Sequence, residues 1–414
     1  MRAIAALGVI FSHLYQRLAM PMPTPRHEKV GWYENAQAVF MHGAYGVSTF
    51  FVLSGMLLSY PFWMAYLTGA PMPSLRHYVR RRAARIVPGY YAALLVSFGL
   101  MFLIMPDAPY KAWRLIAGLT FTSGFHYVTF FPSAVDGPLW SISLEVFSYV
   151  LMPLALAGLF WLRRRRALKS PDGAPTAGTP RRGLRYWLLV LVVVTVLNGV
   201  LVATVHLSAK GRGWQYGDIG GAKEWMPGYN PLGFFGHFAI GILAAWAIAS
   251  WRFRHAADAG ANGASRADTR WWWDVVAASG LAAAAALVWR ARNPAEPSNL
   301  GWFQNQPYLF PLFALTMAVT LVGLAHSRLL GRLADNRFFR YTATISFGLY
   351  IWHYLLLYLF SSITDGRFEY GGIRSTGQHA AISGALLVIA YAIATLSWKF
   401  IEQPALRSKW ANKT

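Results

Sequence analysis

Residues 44–66 read AYGVSTFFVLSGMLLSYPFWMAY, a stretch without one charged side chain. At a rise of about 1.5 Å per residue, a helix of this length covers the roughly 30 Å hydrocarbon core of a bilayer. That core offers no water to backbone N–H and C=O groups, so the chain crosses it as a helix, which satisfies its own. Comparable apolar runs lie at Arg2 to Met20, Pro88 to Met105 and Pro138 to Trp161. More follow at Leu184 to His206, Pro231 to Trp251, Trp271 to Trp289, Pro307 to His326, Tyr341 to Ser361 and Gln378 to Ile401. The expectation is an all-α, polytopic integral membrane bundle of about ten transmembrane helices, forming a single domain over residues 1–414. Arg114 to Phe131 is apolar too, but it contains Gly, Ser, Thr and His and would break the alternation of charged loops, so it reads as an interfacial or re-entrant segment.

Composition agrees with lipid as the solvent. The chain is 56% hydrophobic and 13% charged, against about 25% charged in soluble domains. A formal charge of +22 raises the question of nucleic acid, but the basic residues sit between apolar runs and not along one soluble face, which excludes that partner. With no cysteine there is no disulfide framework, thiolate metal site or thiol nucleophile. Placing the N-terminus in the cytoplasm puts about two thirds of the 38 Lys and Arg residues on that side. They fall in Arg76 to Arg85, Arg163 to Arg185, Arg252 to Arg270, Arg328 to Arg340 and Lys399 to Lys413, so both termini are expected to be cytoplasmic. The first apolar run carries an arginine and has no small-residue cleavage site, so it reads as a retained helix. Two polar inserts, near 163–183 and 252–270, have little to bury and are expected to be mobile and cytoplasmic.

A few polar side chains interrupt the apolar runs, and ionisable groups at membrane depth mark function by default. Arg2 and His13 are eleven residues apart, which on a helix leaves them about 20° apart on one face and separated by a rise of roughly 16 Å. A snorkelling anchor explains Arg2 equally well. Arg82 and Arg85, at i,i+3, point the same way and suit phosphate, although positive-inside anchoring also asks for arginine there. Ser141 and Glu145 stack at i,i+4 within the fourth run, where a carboxylate orients a histidine, holds an acceptor hydroxyl or ties helices together. His353 lies about as deep in its run as His13, which suggests one shared polar centre. Gly43, Gly46, Ser54 and Gly55 let helix backbones approach closely. Trp214, Tyr216, Trp225 and Tyr229, between Lys210 and Asn230, suit either sugar stacking or an aromatic belt.

Together these residues resemble acyltransferase family 3, the membrane O-acyltransferases of cell-surface polysaccharides and macrolides. The resemblance rests on Arg-x10-His at Arg2 to His13, Gly-x-x-Gly-Val-x-x-Phe-Phe-x-x-Ser-Gly at Gly43 to Gly55, and Arg-x-x-Arg at Arg82 and Arg85. It continues with Leu-Trp-Ser-x-x-x-Glu at Leu139 to Glu145, Ser-x-x-x-Tyr-x-x-His at Ser346 to His353, and Phe-Ile-Glu-x-Pro at Phe400 to Pro404. Two departures stand out: Met1 directly precedes Arg2, where relatives carry a short Leu-Asp-Gly-Leu segment, and Val146 replaces a common second Glu. The resemblance implies a bacterial inner-membrane enzyme that takes an acyl group, usually acetyl, from acyl-coenzyme A in the cytoplasm. It delivers that group to a hydroxyl of a carbohydrate or glycosylated acceptor, with no metal or further cofactor. By the same resemblance His13, Glu145 and Arg2 are catalytic, with His13 the base. Arg82, Arg85 and Ser54 hold the donor, and Trp140, Ser141, Tyr350 and His353 contact the substrate. The rival from another class is a secondary transporter or flippase of lipid-linked sugars, because polar residues at membrane depth also line transport paths.

Overall fold

The structure is a computed structural model that describes residues 1–18, 32–168, 177–206, 228–262, 270–292 and 306–413. Among these residues every regular element is helical. The helices are α1 (Arg2–Arg17), α2 (Trp32–Met41), α3 (Gly46–Thr68), α4 (Leu75–Ile104), α5 (Lys111–Leu119), α6 (Trp140–Ala167) and α7 (Pro180–Leu201). Then come α8 (Pro231–Asn262), α9 (Arg270–Ala291), α10 (Leu312–Leu324), α11 (Leu329–Ala334), α12 (Arg337–Ile363) and α13 (Thr376–Ser397). Each of the ten apolar runs therefore contains a helix among the described residues. Eight helices among the described residues are long and apolar enough to cross a membrane. The other two runs form the shorter α1, of 16 residues, and α10, of 13. Arg114 to Phe131 is not a spanning helix: α5 ends at Leu119 and irregular turns follow. Residues 169–176 and 263–269 of the two polar inserts lie outside the described residues, as do Trp214, Tyr216 and Trp225.

Helix ends follow local chemistry. Ser74, Thr179, Asn336 and Ser375 each accept a hydrogen bond from the backbone N–H three residues on, capping α4, α7, α12 and α13. The apolar α3 and α8 form the centre and touch backbone to backbone. A Cβ on Gly55 would lie 2.0 Å from the Phe238 carbonyl oxygen, and one on Gly241 would lie 1.9 Å from that of Val52. A Cβ on Gly43 would lie 2.1 Å from the Gly8 carbonyl oxygen, so the short turn before α3 is pressed against α1 in the same way. Only glycine permits these approaches, and in a bilayer, where apolar side chains gain nothing by leaving lipid, such packing holds helices together. α7 and α9 sit at the periphery, with Leu189, Val192 and Val193 of α7 and Val275 of α9 exposed. α1 packs along α12, which brings two histidines distant in sequence onto facing surfaces.

Candidate active site

His13 of α1 and His353 of α12 meet ring to ring, with His13 Nδ1 2.8 Å from His353 Nε2. The other nitrogen of His353, Nδ1, lies 2.9 Å from the Leu349 carbonyl oxygen and 2.8 Å from that of Tyr350. A carbonyl only accepts, so Nδ1 of His353 carries the proton. In a neutral ring its Nε2 is then a lone pair, and His13 Nδ1–H donates to it. That leaves the lone pair of His13 on Nε2. This atom makes no hydrogen bond among the described residues and is not sealed off within the packing. The helix backbone of α12 thus sets the tautomer of His353, and His353 sets that of His13.

Two cavities lie to either side of this pair along α1. The first, of about 70 Å³, has Arg2, Ser54, Arg82, Arg85, Glu145 and Tyr350 in its wall. Five separate helices supply those six residues, and the i,i+3 spacing does put Arg82 and Arg85 on one face of α4. The two arginines differ in what they hold. Arg85 sits 3.4 Å from Glu402, whose side chain is wholly buried, and its guanidinium lies over the Trp398 and Phe347 rings. Arg82 has no hydrogen-bond or ion-pair partner among the described residues. Glu145 accepts from the Tyr149 hydroxyl and, at 3.4 Å, from Ser54 Oγ.

The first cavity stops short of the histidines. Tyr350, one turn before His353 on α12, stands between them, held by a 2.6 Å hydrogen bond between its hydroxyl and Ser141 Oγ and donating to the Pro138 carbonyl at 3.1 Å. Ser141 and Tyr350 are thus bonded to each other. Trp140 stacks on Phe130 at 5.2 Å and meets Tyr229 and Phe234 edge-on, and its side chain lines neither cavity.

The second cavity, of about 290 Å³, begins one turn beyond His13 at Arg17 and is lined also by Tyr358, Ser361, Asp365 and Glu369. Arg17 is 3.0 Å from Glu369 and lies over the rings of Tyr354 and Tyr358. Tyr354 also meets the His13 ring edge-on at 5.0 Å, joining this cavity to the histidine pair. Arg17, Tyr149 and Glu369 escaped the sequence reading, and Glu402 entered it only as part of the Phe-Ile-Glu-x-Pro motif, with no role assigned. Tyr149 was within reach of it, four residues after Glu145 on one helix face. Among the described residues no three His, Asp or Glu side chains converge as a metal site does.

A family model described as an acyltransferase domain, that of acyltransferase family 3, matches residues 1–401. The chain belongs to acyltransferase family 3. No curated protein and no solved structure matches it. Membership makes the chain a membrane-helical acyltransferase, so an acyl donor and an acceptor have to meet in it. In this member of acyltransferase family 3, both α1 and α12 contribute residues to the two cavity walls, and each carries a histidine between them, His13 on α1 and His353 on α12.

Proposed function

We propose that the chain transfers an acyl group, acetyl in the first instance, from acyl-coenzyme A on the cytoplasmic side to a hydroxyl of a carbohydrate-bearing acceptor on the outer side of a bacterial inner membrane. The observation that carries this reading is the place of His13: its free lone pair lies between two polar cavities at opposite ends of one helix. The cavity at Arg2 faces the arginine-rich end, where positive-inside bias places the cytoplasm. At about 70 Å³ it has room for a few water molecules, which suits a short acyl thioester while the nucleotide stays outside it. Arg82, unpaired at that mouth, is the side chain placed to fork onto a donor phosphate. The cavity at Arg17, with its carboxylates, hydroxyls and tyrosine face, suits a sugar.

In the reaction the acceptor hydroxyl oxygen attacks the thioester carbonyl as His13 Nε2 takes its proton. The new C–O bond forms, the C–S bond breaks, and the departing thiolate of coenzyme A takes the proton from the imidazolium. His353 stabilises that imidazolium by accepting from its Nδ1–H. Tyr350 has to yield for the thioester carbon to reach Nε2, and its bond to Ser141 is the contact exchanged. Two cavities at opposite ends of a helix also suit a transporter or flippase of lipid-linked sugars. Purified protein in proteoliposomes, given labelled acetyl-coenzyme A inside and a glycolipid extract outside, separates the two. Release of coenzyme A thiol with label in the glycolipid supports the enzyme, whereas glycolipid movement with an intact thioester contradicts it.

A further inference from the structure

At the arginine-rich end, the last turns of α6 and the first turns of α7 enclose a third cavity, of about 330 Å³. Its polar lining is Tyr66, Arg163, Arg166, Arg182, Arg185 and Tyr186, with no carboxylate. Arg163 is committed elsewhere: it donates to the carbonyls of Ala65, Tyr66 and Ala70 at 2.9, 3.2 and 2.6 Å, satisfying the open C-terminal end of α3. The guanidinium groups of Arg166, Arg182 and Arg185 have no hydrogen-bond or ion-pair partner among the described residues. Arg182 also sits where a helix least favours a cation, in the first turn of α7, which carries the positive end of its dipole and no acidic residue. Three guanidinium groups around one hollow, one of them against a helix dipole, carry a charge that no carboxylate among the described residues offsets and that an anion would neutralise.

We propose that this hollow binds the phosphate of an anionic membrane lipid. Forked guanidinium groups match phosphate oxygens two at a time, and the tyrosines are uncharged neighbours that do not compete. The lipid is favoured over a soluble phosphate by what continues from the hollow. Leu189 lines it, and Leu189, Val192, Val193 and Val196 form an i, i+3, i+4, i+7 row on α7, each between 48% and 61% exposed. A phospholipid with its headgroup among the arginines lays its acyl chains along that row. The headgroup then joins α7 to α3 and α6, adding to the Tyr186 bond to the Ala155 carbonyl and the Trp187 bond to that of Ala239. Lipid that binds only the folded chain raises its stability by mass action. The proposal is independent of the acyl-transfer reading.

The test uses the full chain in nanodiscs of phosphatidylcholine, with and without one quarter phosphatidylglycerol. The triple variant Arg166→Gln/Arg182→Gln/Arg185→Gln is compared with Arg164→Gln/Arg165→Gln/Arg181→Gln, which removes equal charge beside the hollow. The expected result is phosphatidylglycerol retained through delipidation, with a raised Tm, in the wild type and the control but not in the triple variant. The single variant Arg182→Gln, expected to retain several-fold less, carries the test should the triple variant not fold. Equal retention by wild type and the arginine variants overturns the proposal. Protection by inorganic phosphate or adenosine 3′,5′-bisphosphate in phosphatidylcholine alone overturns the lipid as its source.

Discussion

Replacing His353 by Phe keeps a ring of similar volume and removes the one acceptor that His13 Nδ1–H has, at 2.8 Å. The leaving ring strands no other group, because the Leu349 and Tyr350 carbonyls that held His353 Nδ1 belong to the helix. In the ground state that bond joins neutral rings and is worth about 1 kcal/mol, whereas in the transition state the donor is an imidazolium and the bond rises to about 1.5–3 kcal/mol. The difference, about 0.5–2 kcal/mol, is roughly 2- to 30-fold in kcat. Loss of the fixed tautomer adds to this, since His13 is then free to carry its proton on Nε2, where it cannot act as base. His353→Gln, whose amide oxygen can accept, should fall between Phe and wild type. Donor KM should not move, because Arg82 and the first cavity lie a turn or more away. Stopped-flow or end-point assay of thiol release, normalised to folded protein, gives these values. If His353→Phe turns over within twofold of wild type, or Gln is no better than Phe, the tautomer chain has no part in the reaction.

Arg82→Ala should raise the acyl-coenzyme A Kd at unchanged Tm. Arg85→Ala should lower stability by about 3–5 kcal/mol, because it strips a fully buried Glu402 of its 3.4 Å partner, and Glu402→Gln in the same chain should restore part of the loss in thermal unfolding. Gly55→Ala, with its Cβ 2.0 Å from the Phe238 carbonyl oxygen, should destabilise by about 1–3 kcal/mol or more, whereas Gly99→Ala, with nothing within 4 Å, should not, as folded yield from detergent will report. Reporter fusions after Lys169, Arg266 and Asn336 should read cytoplasmic and those at Gly221 and Asn299 external; an inversion at any of them breaks the topology.

The helices were readable because hydropathy is local: each run from residues 44–66 onward declares itself without knowledge of its neighbours. Length was less readable, as α1 and α10 show by ending at 16 and 13 residues. The depth of His13 and His353 in their runs pointed to a common centre, yet which nitrogen faces which depends on carbonyls of α12 that no spacing rule supplies. Arg82 and Arg85 looked equivalent at i,i+3. They part company only because the chain end folds back and sets Glu402 beside one of them, a contact between residues more than 300 positions apart. Arg17 and Glu369 were hidden for the same reason. Ser141 and Tyr350 were legible as polar groups of the site, but their bond to each other, which closes the first cavity, belongs to tertiary packing.

The most direct measurement is a single turnover with purified, folded His13→Gln or wild-type protein in excess over labelled acetyl-coenzyme A, at saturating acceptor, with donor binding recorded beside it. The account predicts unchanged donor affinity and a rate of thioester cleavage lower by about 10²- to 10⁴-fold, the usual loss when a general base is removed. Near-normal cleavage by His13→Gln at matched folded protein would contradict it and make His353 the residue to replace next.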